Sequence, residues 1–335
     1  MVRRLDRVIP NKSRVGRMAL TIILCLIAIF QSGLRDISKL PDGNDTPSYY
    51  TVYGSVSASS WNEVFNGVSL NTSEYDERDF GYPIFVKLTQ LIYDDFTFFM
   101  FLTAIIFIVP FSMLVFRFVK SYLGIILAFL FYFAIFTNIV NSFMRQAVTL
   151  GIVLFSVRYI LKHQWKMYYG MMLLALSIHT SSIVAFPFYF LPKLSKTRKS
   201  LSFAFVLSPV LFFLQSTLFN YFVTGTIYDN YLDENAVTPI NYLLLIFAIS
   251  ALSYFFYDRM KILNDYEFLV SGVIGTLLLL PVVMMGNTML RISYYYVIFL
   301  IPLLPVILDS IKMGKQERFI KYALLSLFFL FIIFK

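Results

Sequence analysis

The sequence has little charge for its length. Of its 335 residues, 14% are charged and 59% are hydrophobic, whereas a soluble domain has about 25% charged and 45–50% apolar residues. This balance excludes a water-soluble globular protein. Apolar runs close to the roughly 20 residues that cross a bilayer recur along most of the chain, which predicts an all-α polytopic membrane protein.

Cysteine and histidine are almost missing. The single cysteine, Cys25, lies inside an apolar run, which excludes a disulfide framework, a redox pair and a cysteine metal site. His, Cys and Glu show no metal-ligand spacing, so we expect no metal and no cofactor. A Walker loop, a G-x-S-x-G motif and a dinucleotide fingerprint are also missing, which excludes the common soluble chemistries.

The net charge of +9 follows from the predicted topology. A basic N-terminal segment precedes the apolar stretch 18–30, and no cleavage site follows it, which predicts a retained first helix with a cytoplasmic N-terminus. With that orientation, 21 of the 28 lysines and arginines fall in inner loops, as the positive-inside rule requires. The charge therefore gives no support to nucleic-acid binding.

The apolar runs predict one membrane domain over 1–335, with about ten to eleven transmembrane helices or half-helices. Two of the runs are too short to cross singly, and both flanks of the pair are basic, which predicts a short helical hairpin over 167–192 that returns to the cytoplasm. The other predicted spans are 18–30, 96–116, 122–139, 146–161, 201–223, 239–257, 267–288, 292–308 and 320–335.

Two segments are predicted to lie outside the membrane on its outer face. The longer one, 35–95, is too polar to cross, and the apolar spacing of Ile84, Leu88 and Leu91 predicts a surface helix near 81–93. The shorter one, 224–238, is an acidic loop.

Three arginines lie at the outer ends of predicted spans, where positive charge is disfavoured: Arg35, Arg145 and Arg291. An unpaired charge there is costly. The planar guanidinium fork matches phosphate oxygens, which predicts a site for a membrane-bound phosphate or pyrophosphate. The alternatives are contact with lipid headgroups and pairing with outer carboxylates.

Two further residues are candidates for acid–base chemistry. His179 lies at the tip of the predicted hairpin, where burial favours a neutral imidazole that can accept a proton; it could instead only hydrogen-bond helix ends. Asp45 lies in a turn and is a second candidate base, or a group that orients a sugar hydroxyl, although capping of the turn is an equal alternative.

Several short motifs follow one another along the chain: Gly33-Leu-Arg35-Asp36, Gly43-Asn-Asp45-Thr-Pro-Ser-Tyr-Tyr50, Met144-Arg145-Gln146-Ala147, Ile178-His179-Thr-Ser-Ser182 and Met289-Leu-Arg291-Ile-Ser-Tyr-Tyr295. In their order and spacing they resemble the EpsG family of Wzy-type bacterial polysaccharide polymerases. A looser match is Asp79-Phe-Gly-Tyr82, where the family often has an acidic residue before a Gly-Phe-like pair.

This resemblance implies a GT-C-like glycosyltransferase that joins oligosaccharide repeat units carried on undecaprenyl pyrophosphate, at the outer face of the bacterial cytoplasmic (inner) membrane. The three arginines would hold the pyrophosphate without a metal, and His179 or Asp45 would act on the acceptor hydroxyl. The implied partners are the lipid-linked oligosaccharide, membrane lipids, a chain-length regulator and a flippase. Outer aromatic residues would contact sugar or form an interfacial belt: Tyr49, Tyr50, Tyr53 and Trp61.

Two other functions remain as alternatives. An O-antigen ligase would also move a glycan from the lipid carrier, but its usual large loop lies late in the chain, where this sequence has only 224–238. A flippase or secondary transporter for a lipid-linked oligosaccharide would need charged residues within several spans, whereas here the ionisable groups gather at one face.

Overall fold

The computed structural model describes residues 11–39, 45–66, 79–223, 240–261, 263, 265–283, 287–311, 320, 324–325 and 327. In these residues the secondary structure is helical, with no strand, which confirms the predicted all-α class. Most of the predicted span 320–335 and the whole of the loop 224–238 lie outside the described residues.

Short helices and longer apolar helices follow one another along the chain. Two 3₁₀ helices, Ile37–Lys39 and Thr180–Tyr189, interrupt the α-helical sequence. The α-helices are α1 (Asn11–Gly33), α2 (Thr46–Ala58), α3 (Trp61–Phe65), α4 (Gly81–Ile92), α5 (Phe96–Phe118), α6 (Tyr122–Ile135), α7 (Thr137–Ser142), α8 (Met144–Leu161), α9 (Trp165–Ile178), α10 (Leu191–Leu194), α11 (Arg198–Val223), α12 (Ile240–Phe255), α13 (Tyr257–Met260), α14 (Tyr266–Val283), α15 (Asn287–Val297) and α16 (Leu300–Ser310).

Several helices are long and apolar enough to cross a membrane, which confirms a polytopic membrane protein. In the described part of the chain these are α1, α5, α8 and α14, and the pair α15 and α16, bent by 46°, adds a fifth candidate. The predicted ten to eleven helices include shorter pieces, and α6 and α12 are two shorter apolar helices of this kind.

The segments with special predicted roles are helical in part. The segment 167–192 contains most of α9 and the 3₁₀ helix Thr180–Tyr189, and the segment 81–93 contains α4. Their placement in or on the membrane, and the sides of the loops, stay predictions.

The contacts group the chain into two compact units. The first unit comprises residues 11–117 and 129–186, and the second includes residues 118–128 and 187–335. The prediction of one membrane domain over 1–335 stays a prediction.

The first unit is held together by close helix contacts and an aromatic core. A Cβ added to Gly151 of α8 would lie 2.2 Å from the carbonyl oxygen of Ile106 in α5, so the two backbones touch there, as small residues permit in membrane proteins. A hydrophobic cluster that includes Val52, Val86 and Val148 joins α2, α4 and α8. This packing fixes the helix ends that carry the site.

The second unit is built around α14. Gly272 and Gly275 of this helix leave room for Phe299 and Tyr296, and Phe299 stacks on Phe188 with ring centroids 4.6 Å apart. In a membrane the hydrophobic effect contributes little to helix association, because lipid tails are themselves apolar, so close packing at glycines is important here too.

Candidate active site

The candidate site centres on the buried carboxylate of Asp79, whose side chain is 1% exposed. Its Oδ2 accepts hydrogen bonds from Arg145 Nη1 at 3.0 Å and from His179 Nδ1 at 2.9 Å. Its Oδ1 accepts from the backbone N–H of Thr180 at 2.9 Å and from the Thr180 hydroxyl at 2.7 Å. Four donors therefore satisfy a charge that would otherwise be costly to bury.

The members of this network come from the ends of three helices. Asp79 lies two residues before α4 begins, Arg145 is the second residue of α8, and His179 follows the last residue of α9 with an extended backbone. The His179 N–H still donates to the carbonyl of Ala175 at 2.9 Å, which closes the last turn of α9. Helix ends fixed by packing hold side chains more firmly than a long loop does.

A close contact between α4 and α9 brings Asp79 and His179 together. A Cβ added to Gly81 would lie 2.4 Å from Ser177 Oγ and 2.9 Å from the Ser177 carbonyl carbon. Only glycine fits at this position without a shift of the backbone. The start of α4 therefore packs directly on the end of α9, two residues from each of the two functional side chains.

The contact with Asp79 fixes the tautomer of His179. An ionised carboxylate can only accept hydrogen bonds, so a neutral His179 carries its proton on Nδ1 and keeps the lone pair on Nε2. The His179 side chain is 27% exposed, which leaves part of the ring accessible. This carboxylate–imidazole arrangement is the one by which enzymes orient a histidine base.

The Asp79 carboxyl is ionised in this setting. Burial raises its pKa, but the hydrogen bonds from His179 and Thr180 and the charge of Arg145 are among the interactions that outweigh burial and hold the pKa below its usual value. Asp79 therefore supplies a permanent negative charge at neutral pH.

Two tyrosine rings surround the Arg145 guanidinium. The central carbon of the guanidinium lies 5.9 Å from the ring centroids of both Tyr49 and Tyr82, and these two rings pack edge to face. Such cation–π contacts stabilise a poorly hydrated guanidinium. The Arg145 side chain is 18% exposed, so the charge is largely enclosed beside Asp79.

Arg35 lies next to the same part of α8. Its Nη1 donates to the carbonyl of Ser32 at 2.5 Å, and its Nη2 lies 3.5 Å from both Thr46 Oγ1 and Met144 Sδ. Met144 is the neighbour of Arg145 in the chain. Burial lowers the pKa of Arg35 to about 10, which still leaves the guanidinium charged at neutral pH. Among the residues that the structure describes, Arg35 forms no ion pair with a carboxylate.

The segment that carries Asp45 is attached to the junction of α7 and α8. The Asp45 N–H donates to Ser142 Oγ at 3.1 Å, and the Thr46 hydroxyl donates to the carbonyl of Asn141. The start of α2 is thereby held beside the end of α7. Because Arg35 contacts Thr46 and Met144, it lies next to the chain neighbours of both Asp45 and Arg145.

The profile of the EpsG family matches residues 18–335, nearly the whole chain. The chain belongs to the EpsG family. Searches among curated proteins and among solved structures found no match. Membership in the EpsG family indicates a role of the polysaccharide-polymerase type.

The residues carried over from the EpsG motifs divide between the two units. Arg35, Asp45, Arg145 and His179 belong to the first unit. Arg291 belongs to the second unit, where it is half-buried on α15. Its predicted role in pyrophosphate binding stays a prediction.

In the part of the chain that the structure describes, no group of three or more His, Cys, Asp or Glu side chains could hold a metal ion.

The four aromatic residues predicted to contact sugar have different environments. Tyr49 and Tyr53 are buried in the hydrophobic cluster, and the Tyr53 hydroxyl donates to Asp94 Oδ1 at 2.9 Å. Tyr50 is 56% exposed, and Trp61 stacks on Phe65. Tyr50 and Trp61 thus present accessible ring surface, and the sugar-binding role of all four residues stays a prediction.

No role was assigned to Asp79 or Thr180 from the sequence, although both belong to this network. Asp79 was part of the loosest motif match, and Thr180 only neighboured His179. A usable signal was present, because Asp79 is an acidic residue that shortly precedes the helix α4. Only the fold shows that this residue meets His179, one hundred positions later in the chain.

Proposed function

We propose that this chain is a polysaccharide polymerase that joins undecaprenyl-pyrophosphate-linked oligosaccharide repeat units at the outer face of the bacterial cytoplasmic membrane. The observation that supports this most is the shared carboxylate: His179 Nδ1 and Arg145 Nη1 both bond to Asp79 Oδ2. His179 is a candidate base, and Arg145 is a candidate anion-binding group. Their bonding nitrogens, Nδ1 and Nη1, lie within about 6 Å of each other, because both are at hydrogen-bond distance from the same oxygen of Asp79.

The proposed step is transfer of a glycan from its lipid pyrophosphate to an acceptor hydroxyl. His179 Nε2 takes the proton of the hydroxyl while the hydroxyl oxygen attacks the anomeric carbon of the donor. The bond between that carbon and the pyrophosphate oxygen breaks, and the lipid pyrophosphate leaves with the electron pair. The products are a longer glycan and the protonated His179, which releases its proton to solvent.

Asp79 has two tasks in this step. Its hydrogen bond to Nδ1 keeps the lone pair of His179 on Nε2, and its negative charge stabilises the imidazolium that forms. Asp79 touches neither substrate in this scheme, so it is a positioning residue.

The arginines are proposed to stabilise the leaving group. Pyrophosphate gains negative charge as the anomeric bond breaks, and preorganised guanidinium groups in a poorly hydrated site are well suited to that charge. Arg145 and His179 bond to the same oxygen of Asp79, and Arg35 contacts Met144, the residue before Arg145. Arg291 is the third proposed member.

His179 is favoured over Asp45 as the base. His179 has an orienting carboxylate and a partly exposed ring, whereas the contact between Asp45 and Ser142 of α7 uses the backbone N–H of Asp45 and does not orient its carboxylate. Asp45 remains the second candidate base, or a group that orients the acceptor hydroxyl.

Incubation of the purified protein with a synthetic undecaprenyl-pyrophosphate repeat unit tests this function. We expect a ladder of longer lipid-linked glycans on a gel, with release of undecaprenyl pyrophosphate. The matched control is Asp79→Asn protein at the same level. Release of the lipid without longer glycan would indicate hydrolysis and would contradict the proposal, as would an unchanged repeat unit.

A further inference from the structure

An apolar groove of about 610 Å³ lies in the first unit between α4, α5, α8 and α9. Its volume is within the range of roughly 300–1,000 Å³ that small-molecule sites occupy. Eighteen residues line it, and Ser177 is the only one of them with a hydroxyl, amide or charged side chain. The lining by α5 and α8 includes Ile105, Val109, Met113, Val148, Ile152 and Phe155.

One end of the groove adjoins the candidate active site. Phe80 and Gly81 line it and directly follow Asp79, while Ser177 and Ile178 line it and directly precede His179. From there the groove runs along α5, whose lining residues extend from Ile105 to Met113, about 12 Å at 1.5 Å per residue.

The groove is open at the surface of the first unit, and its α5 wall is accessible. Ile105, Val109 and Met113 line it at successive turns and are 42%, 37% and 61% exposed. Because α5 is a candidate membrane span, apolar side chains exposed along it would face hydrocarbon. A lipid chain could therefore enter sideways from the bilayer without crossing water.

The walls of the groove are fixed by two close backbone contacts. Gly81 packs on Ser177 where α4 meets α9, and Gly151 packs on Ile106 where α8 meets α5. All four of these residues line the groove. The helices that bound the groove are therefore held at fixed distances by their backbones.

We propose that this groove binds the isoprenoid chain of the lipid-linked sugar donor. The proposal rests on the proposed function, which supplies a donor with a pyrophosphate joined to a long hydrocarbon chain. The groove and the adjacent site match the two parts of that molecule: apolar side chains for the hydrocarbon, and the Arg145 guanidinium beside His179 for the pyrophosphate. Anchoring of the chain would hold the anomeric carbon close to the base.

Photocrosslinking of the purified full-length protein tests this site directly. The probe is undecaprenyl pyrophosphate with a diazirine on its isoprenoid chain, and mass spectrometry locates the crosslinks. We expect crosslinks in peptides that contain Ile105–Met113 and Val148–Phe155, and we expect unlabelled undecaprenyl pyrophosphate to compete at far lower concentration than a phosphatidylglycerol does. Equal competition by the phospholipid would assign the groove to bulk lipid and overturn the proposal.

Leu174 and Leu173 offer a matched pair of variants on α9. Leu174 lines the groove and is 49% exposed, while Leu173 does not line it and is 61% exposed. Leu174→Trp should lower crosslinking in the groove by at least about tenfold, the effect of losing roughly two buried methylene groups, and Leu173→Trp should leave it unchanged. Val109→Trp, on the α5 wall, should act like Leu174→Trp.

The outcomes separate this proposal from the proposed function. Groove crosslinks in a protein that makes no polymer would uphold the lipid site and contradict the polymerase. Polymerisation with crosslinks elsewhere, or with crosslinking unaffected by both groove tryptophans, would overturn the lipid site and leave the polymerase standing.

Discussion

His179 Nδ1 lies 2.9 Å from Oδ2 of Asp79, although one hundred residues separate the two in the chain. The contact depends on Gly81, whose missing side chain allows the start of α4 to reach the end of α9. It converts a lone histidine at a helix end into an oriented imidazole with an accessible second nitrogen. The same carboxylate also holds Arg145.

Asp79→Asn should abolish most of the polymerase activity. An amide at this position can offer only one acceptor oxygen to four donors, so His179 and Arg145 lose their common partner. We expect the rate of polymer synthesis to fall by about a hundredfold or more, equivalent to roughly 2.7 kcal/mol in the barrier. The rate is measured on purified protein at matched concentration.

The control for that variant is Asp94→Asn. Asp94 also accepts hydrogen bonds, from Tyr53 and Ser57, but it is exposed and outside the network. Its replacement should change the rate by less than about threefold, since exposed polar contacts contribute little. An Asp79→Asn protein as active as Asp94→Asn would show that the carboxylate does not position the base.

The network should also be visible in stability as a function of pH. The pKa of Asp79 is lower in the folded protein than in an unfolded chain, so its contribution is present above the unfolded value of about 3.9 and is lost as pH falls through the lower folded value. The thermal midpoint of wild type should exceed that of Asp79→Asn at pH 7. That difference should narrow below about pH 4; a difference that persists to strongly acidic pH would argue against an ionised Asp79.

Composition and apolar runs were sufficient to predict the helical membrane class, because the bilayer imposes a hydrophobic length on each span. The pattern of apolar residues alone could not show where helices break. Residues 292–308 were predicted as one span, whereas α15 ends at Val297 and α16 begins at Leu300 with a bend of 46°.

For the site, Arg145 and His179 were selected from their unusual positions at the ends of apolar runs. Asp79 was not, because its partner contacts arise only from tertiary packing.

Arg145→Lys should lower the rate of polymerisation by at least about tenfold, the effect of 1.4 kcal/mol in transition-state stabilisation. Lysine keeps the charge but loses the planar fork that can bond to Asp79 and to a phosphate together. Arg198→Lys is the control, since it alters another arginine–carboxylate pair, with Asp258, whose arginine side chain is 41% exposed. Equal, full activity of both variants would mean that Arg145 only anchors α8.

The topology prediction is tested with single cysteines in a Cys25→Ala background. An impermeant thiol reagent applied to intact cells should label Ala58→Cys at the end of α2 and should not label Thr197→Cys, which precedes α11. Both positions are exposed in the structure. Labelling of Thr197→Cys in intact cells would reverse the predicted sidedness of the segment that follows His179 and would move the site away from the outer face.

The most direct test of the proposed base is the rate of polymerisation by His179→Gln at neutral pH. Glutamine preserves a hydrogen-bonding side chain of similar reach but cannot take the proton of the hydroxyl. We expect donor binding to persist while synthesis falls by about a hundredfold or more. A His179→Gln protein that polymerises at close to the wild-type rate would contradict the account.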